Sequence, residues 1–136
     1  MKILGIDHIG IAVRRLEEAL EFYVDRLGLT ADAIEEKPEL GIRLVRVRAA
    51  NVVLELIEAQ DWGRTTQRYL DHKGPGVYHV GLQVDDVDAA VAELLESRTR
   101  LIDEVPREGD EMRVSFVHPD ATGGALVELV TKKRPP

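Results

Sequence analysis

The chain has no cysteine among its 136 residues. That excludes disulfides, thiolate metal ligands and a cysteine nucleophile, and leaves imidazoles and carboxylates as the strong protein ligands for a metal. It also lacks a surplus of positive charge. A net charge of −7 argues against broad attraction to nucleic acid or anionic lipid, while a local cluster of arginines can still hold a small anion. No run approaches the apolar length needed to span a bilayer. The opening, "MKILGIDHIG", lacks the apolar core and cleavage site of a secretory signal, so the expected location is the cytoplasm. The basic, proline-ended "TKKRPP" reads as a solvated terminus.

What is present is enough for one core: 44% hydrophobic residues beside 32% charged ones fits a single domain over 1–136, or two small halves sharing a core. The halves repeat one another. Shifting by 71 positions superimposes Gly5 on Gly76, His8 on His79, Gly10 on Gly81, Val13 on Val84 and Ala19 on Ala90, without a gap. Apolar positions follow, Ile9 with Val80 and Leu16 with Val87 among them. A duplication explains the pattern better than chance.

Each copy opens on a strand, "GIDHIGIAV" or "GVYHVGLQV", in which apolar residues alternate and the histidine falls on the opposite face. A helix follows each. Leu16, Ala19, Leu20, Tyr23 and Leu27 make the first stripe, with Gly28 as its stop. Val87, Ala90, Val91, Leu94 and Leu95 make the second, with Asp85 or Asp86 placed to cap it. Further strands come from "GIRLVRV" and "NVVLELIE", then from "MRVSFVHP" and "GGALVELV". "DWGRTTQRYLDHK" reads as a short helix and "GPG" as a hinge. Module one thus spans about 3–60, the connecting helix and hinge about 61–75, and module two about 76–132.

The last strand of each copy holds a glutamate among apolar residues, Glu55 and Glu128, 73 positions apart. A carboxylate in such a place is expensive to ionise unless it is paired or binds a cation. One reading has both glutamates facing solvent on sheet edges and both histidines as ordinary strand residues. The other joins His8, Glu55, His79 and Glu128 around one divalent metal, whose charge the two carboxylates cancel. His72, in "LDHKGPG", and His118, before a proline, have no counterparts and read as surface or turn residues.

These residues and their order resemble the vicinal oxygen chelate superfamily, which includes glyoxalase I, extradiol dioxygenases, bleomycin resistance proteins and the methylmalonyl-CoA epimerases. The likeness is strongest to the epimerases and runs over nearly the whole chain. "GIDHIGIAV", "LEEALEFY", "PELGIRLVRV", "LELIE", "GPGVYHVGLQVDDVDAAV" and above all "HPDATGGALVELV" carry it. The resemblance implies an α+β fold of two tandem βαβββ modules forming a cupped mixed sheet around a metal. It places the ligands at His8, Glu55, His79 and Glu128, with Glu55 where epimerases often have glutamine. It implies a divalent ion, an acyl-CoA substrate and a homodimer; the ligand set itself accepts cobalt, manganese, nickel, iron or zinc.

The implied reaction inverts the carbon between a carboxylate and a thioester, with Glu39 of "PELG" and Glu128 as the two bases. From the residues alone, Glu39 reads as a solvated charge. The chain departs from the family pattern at "REGDEMRV" and "AQDWGRTTQRYL", two stretches expected near the substrate entrance. Arg43, Arg46, Arg48 and Arg113 are candidates for an anionic cofactor arm or for a solvated face. A glyoxalase I-type lactoylglutathione lyase, with Glu55 and Glu128 as symmetric bases, and a non-catalytic binding protein of the bleomycin-resistance type are the alternative readings. A fourth ligand argues against a dioxygenase.

Overall fold

Gly5 and Gly76 each stand near the start of a strand with φ of 151° and 145°. An L side chain is strained there, which accounts for glycine at both places in the repeat. The strands are β1 (Ile3–Val13) and β6 (Gly76–Val84). The computed structural model describes residues 1–60 and 65–133. Within it the chain forms two compact units: His8–Tyr78, and Met1–Asp7 with the chain from His79 onward. β1 and β6 therefore each begin in one unit and end in the other.

In the His8–Tyr78 unit, β1 leads to the helix α1 (Leu16–Leu20). Its turns then widen into a π-helix over Glu21–Arg26, where the Leu27 amide bonds to the Phe22 carbonyl. The wider turn sets Tyr23 against the core but leaves Leu27 exposed, so the apolar stripe ends earlier than its spacing predicts. Two short strands follow, β2 (Thr30–Ala31) and β3 (Glu35–Lys37), then a 3-10 turn at Pro38–Leu40. The longer strands β4 (Ile42–Arg48) and β5 (Val53–Ala59) complete the sheet. β5 lies parallel to β1 and antiparallel to β4, and β2 and β3 both pair with the far side of β4. The parallel pair is possible because α1 supplies the crossover. Leu16, Val45, Val47 and Leu56, all fully buried, form the core between helix and sheet. The helix α2 (Thr65–Lys73) follows β5; positions 61–64 of the expected connecting helix lie outside the described residues.

The other unit repeats the plan. β6 leads to α3 (Val87–Glu96), then to β7 (Arg107–Glu108), β8 (Met112–Val117), the short helix α4 (Pro119–Thr122) and β9 (Val127–Lys132). β9 is parallel to β6 and antiparallel to β8, and β7 pairs with β8. Val84, Val87, Ala90, Val91 and Leu129 pack between α3 and the sheet. The segment before His8 joins this unit: the amide of Lys2 bonds Asp85 at 3.0 Å, and Asp7 pairs with Lys132 at 3.1 Å.

The duplication extends to how each helix is fastened. Arg15 offers α1 no side-chain cap, and Glu58 from β5 accepts the Leu16 amide instead, at 2.7 Å. At the matching place on β9, Thr131 accepts the Val87 amide at 2.8 Å, while Asp86 caps the amides of Asp88 and Ala89. Arg43 on β4 grips Glu17 in the first turn of α1, and Arg113 on β8 grips Asp88 in the first turn of α3. An acid at a helix start suits the dipole, and the arginine ties it to the sheet.

Candidate functional site

Alternation along β1 puts Ile11 and Val13 against α1 and turns His8 to the other face of the sheet. The same alternation on β5 sends Leu54 and Leu56 to the helix and Glu55 to the face of His8. His8 is 2% and Glu55 8% exposed, and each offers a ligand atom within 4.8 Å of the other's. In the other unit His79 on β6 and Glu128 on β9 are 3% and 6% exposed, with His79 Nε2 3.0 Å from Glu128 Oε2. Neither glutamate is on a sheet edge: β5 runs between β1 and β4, and β9 between β6 and β8. The solvent-facing reading of these residues does not describe them.

Register explains a second pair of repeated residues. Gly10 lies directly beside Glu55, and Gly81 directly beside Glu128, on the neighbouring parallel strand. No side chain stands next to either carboxylate on that side, which leaves room for the imidazole two residues earlier.

On their other side the two glutamates differ. Arg46 of β4 lies opposite Glu55, with Nε 3.6 Å from Oε2, and also pairs with Glu35 of β3. Phe116 of β8 lies opposite Glu128, and its ring meets the His79 imidazole edge-on at 5.5 Å and 83°. Phe116 escapes a reading based on ionisable residues. A signal for it exists in the repeat, because it occupies the cross-strand position that Arg46 occupies in the first copy.

Glu39 sits elsewhere in the His8–Tyr78 unit, exposed on the 3-10 turn between β3 and β4. His72 is exposed in the last turn of α2 rather than in a loop. His118 is the N-cap of α4, its Nδ1 accepting the Asp120 amide at 3.0 Å. The four arginines considered for an anionic arm are all engaged by carboxylates. Arg43 meets Glu17 and Glu58, Arg46 meets Glu35 and Glu55, Arg48 meets Asp32, and Arg113 meets Asp88 and Glu108. These contacts raise the Arg43 and Arg113 guanidinium pKa values and hold Asp32 and Asp88 below the usual carboxylate range. Glu58 is buried too, but on the helix side of β5, where it serves α1 and Arg43.

The sequence profile of the glyoxalase/bleomycin resistance protein/dioxygenase superfamily matches residues 7–116, and the chain belongs to that superfamily. Its α+β fold, with a mixed sheet and few helices, is the glyoxalase type. Its relatives within the superfamily include methylmalonyl-CoA epimerases. The mitochondrial methylmalonyl-CoA epimerase of Mus musculus is 33% identical over 130 residues, 94% of this chain and 73% of that one. The ethylmalonyl-CoA/methylmalonyl-CoA epimerase of Cereibacter sphaeroides is 31% identical over 128 residues, 91% of this chain and 95% of that one. A solved methylmalonyl-CoA epimerase in complex with methylmalonyl-CoA and NH4+ superimposes with a TM-score of 0.87 at 31% identity, covering 96% of each chain.

The cofactor that this membership suggests is a divalent metal. The side chains present suit one: within each unit a buried imidazole and a buried carboxylate stand on neighbouring parallel strands, nitrogen and oxygen donors of the kind that bind a divalent ion. Among the described residues, no helix is long and apolar enough to cross a membrane.

Proposed function

We propose that the chain is a metal-dependent epimerase that inverts the α-carbon of methylmalonyl-CoA, or of a close 2-substituted malonyl thioester, by removing and returning a proton. The observation that carries this reading is the buried imidazole–carboxylate pair in each unit, in a chain whose relatives bear the names just given. His8, Glu55, His79 and Glu128 would hold the ion, which is cobalt, manganese, nickel or zinc. When bound, it supplies Lewis-acid stabilisation of negative charge on oxygen.

Inversion needs one base on each face of the reacting carbon: one takes the proton, and the conjugate acid of the other returns one. We assign these roles to Glu39 and Glu128. Glu128 is buried against His79, a setting that shields a captured proton from water. Glu39 stands on an exposed 3-10 turn, within reach of solvent. The two directions of the reaction should therefore differ in how fast solvent hydrogen enters the product. The same reading makes the enzyme a cytoplasmic homodimer, and sedimentation of the purified protein checks the second of these.

The test is turnover of methylmalonyl-CoA by metal-loaded protein, beside turnover of the methylglyoxal–glutathione adduct. Activity on the first supports the epimerase. Activity on the second alone reassigns the chain as a glyoxalase I-type lyase, to which the carboxylate at Glu55 would lend itself. Binding without turnover of either makes it a sequestering protein. Replacing Glu39→Gln should lower epimerisation by about 10²-fold or more with metal content unchanged; full activity in that variant removes Glu39 from the mechanism.

A further inference from the structure

Arg46 is the one arginine considered above that faces a carboxylate of the site rather than a helix or an edge strand alone. It lies directly across from Glu55, on β4. Its neighbours Val45 and Val47 pack against α1, so Arg46 and Glu55 share the opposite face of the sheet. Two carboxylates meet it, in different ways. Glu35, diagonal to it on β3, accepts a hydrogen bond from Nη1 and also meets Lys37 at 3.8 Å. Glu55 is approached no closer than 3.6 Å, Nε to Oε2, which is longer than a hydrogen bond. The guanidinium thus faces Glu55 as a charge, while its directional bond goes to Glu35.

Burial makes that charge matter. The Glu55 side chain is 11% exposed, against 37% for Glu35. An ionised carboxylate so placed needs a positive charge beside it. In metal-loaded protein a divalent ion supplies that charge, and in metal-free protein Arg46 does. Two cations close to one carboxylate repel each other. Glu35 offers the guanidinium a second anion to stay with. In the second copy the corresponding position, across from Glu128, is Phe116 and carries no charge.

We infer that Arg46 is a positioning residue for Glu55: it balances the buried carboxylate in metal-free protein, and its bond to Glu35 lets it cede that carboxylate to a divalent ion. The inference rests on the reading of Glu55 as a metal ligand. It goes beyond that reading by naming the group that competes with the ion.

The experiment measures two quantities on Arg46→Met: affinity for cobalt ion, by competition with a chromophoric chelator, and the urea midpoint of the metal-free protein. The two should move in opposite senses. Cobalt should bind about tenfold more tightly, because no guanidinium repels it. The metal-free protein should unfold at lower urea, because Glu55 has lost its counter-charge. Arg46→Lys keeps a positive charge and should shift both quantities less. Glu35→Gln, a change at a partly exposed position, should weaken cobalt by about threefold, since Arg46 then has only Glu55 to balance it. An arginine with a purely structural role would lower cobalt affinity and stability together, so an Arg46→Met affinity equal to or below that of the wild type overturns the inference. If Arg46→Met does not fold without metal, Glu35→Gln decides, and unchanged cobalt affinity there overturns it too. Glu55→Ala keeps the two readings apart. Unchanged cobalt affinity in that variant removes Glu55 as a ligand, and both readings fall. Weakened affinity there, with Arg46→Met and Glu35→Gln both binding as the wild type does, removes the role of Arg46 alone.

Discussion

Two buried glutamates three positions apart on β5 show how residue type fails to announce a role. Glu55 and Glu58 differ in parity, so one faces His8 and the other faces α1. Glu58 accepts the Leu16 amide and the Arg43 guanidinium, and Gln60 bonds to it as well. Glu58→Ala leaves a charged guanidinium and a helix amide without that partner, and should destabilise the fold by about 3–5 kcal/mol in urea unfolding. Glu58→Gln keeps an acceptor for Leu16 and should cost less. Neither change touches Glu55, so metal uptake by folded protein should be preserved. The sequence marks Glu55 through its twin Glu128. It marks Glu58 only through Thr131, whose different side chain does the same work for the other helix.

At the scale of elements, the strand–helix–strands plan and the Asp86 cap are legible in the sequence because alternation, helical spacing and capping residues are local signals. The short strands β2, β3 and β7 are not, since two or three polar residues carry no period and pair only because β4 and β8 offer them an edge. The widened turns of α1 also leave no local mark. The arginines read as a possible anion site, whereas they fasten helices and edge strands, which depends on partners distant in sequence. Those fastenings carry a pH signature. The Asp88 pKa is lowered mainly by its bonds to Arg113, and the Glu17 pKa mainly by a backbone amide at the start of α1 and then by Arg43. A depressed carboxylate stabilises the fold above its unfolded pKa, and that stability is lost as pH falls through the folded value. The urea midpoint should therefore fall on acidification below about pH 4, and Asp88→Asn should flatten part of that fall. An Asp88→Asn profile identical to the wild type would show that the pair contributes nothing to acid stability.

For the molecule as a whole, the repeat is the most informative feature of the sequence, because it turns two ordinary strand histidines into a matched set. The proposal that His8, Glu55, His79 and Glu128 serve a single ion has a direct consequence. His8→Ala and His79→Ala should each lower the affinity for the same one equivalent of metal, whereas independent sites would leave one equivalent bound as tightly as in the wild type. Recognition of the substrate is less legible. The proposed reaction is proton exchange at one carbon. Metal-loaded protein in deuterium oxide should replace the α-hydrogen of methylmalonyl-CoA with deuterium, seen as loss of the α-proton resonance and collapse of the methyl doublet. An α-proton signal that survives unchanged beside catalytic amounts of folded, metal-loaded protein would rule out epimerisation of this thioester.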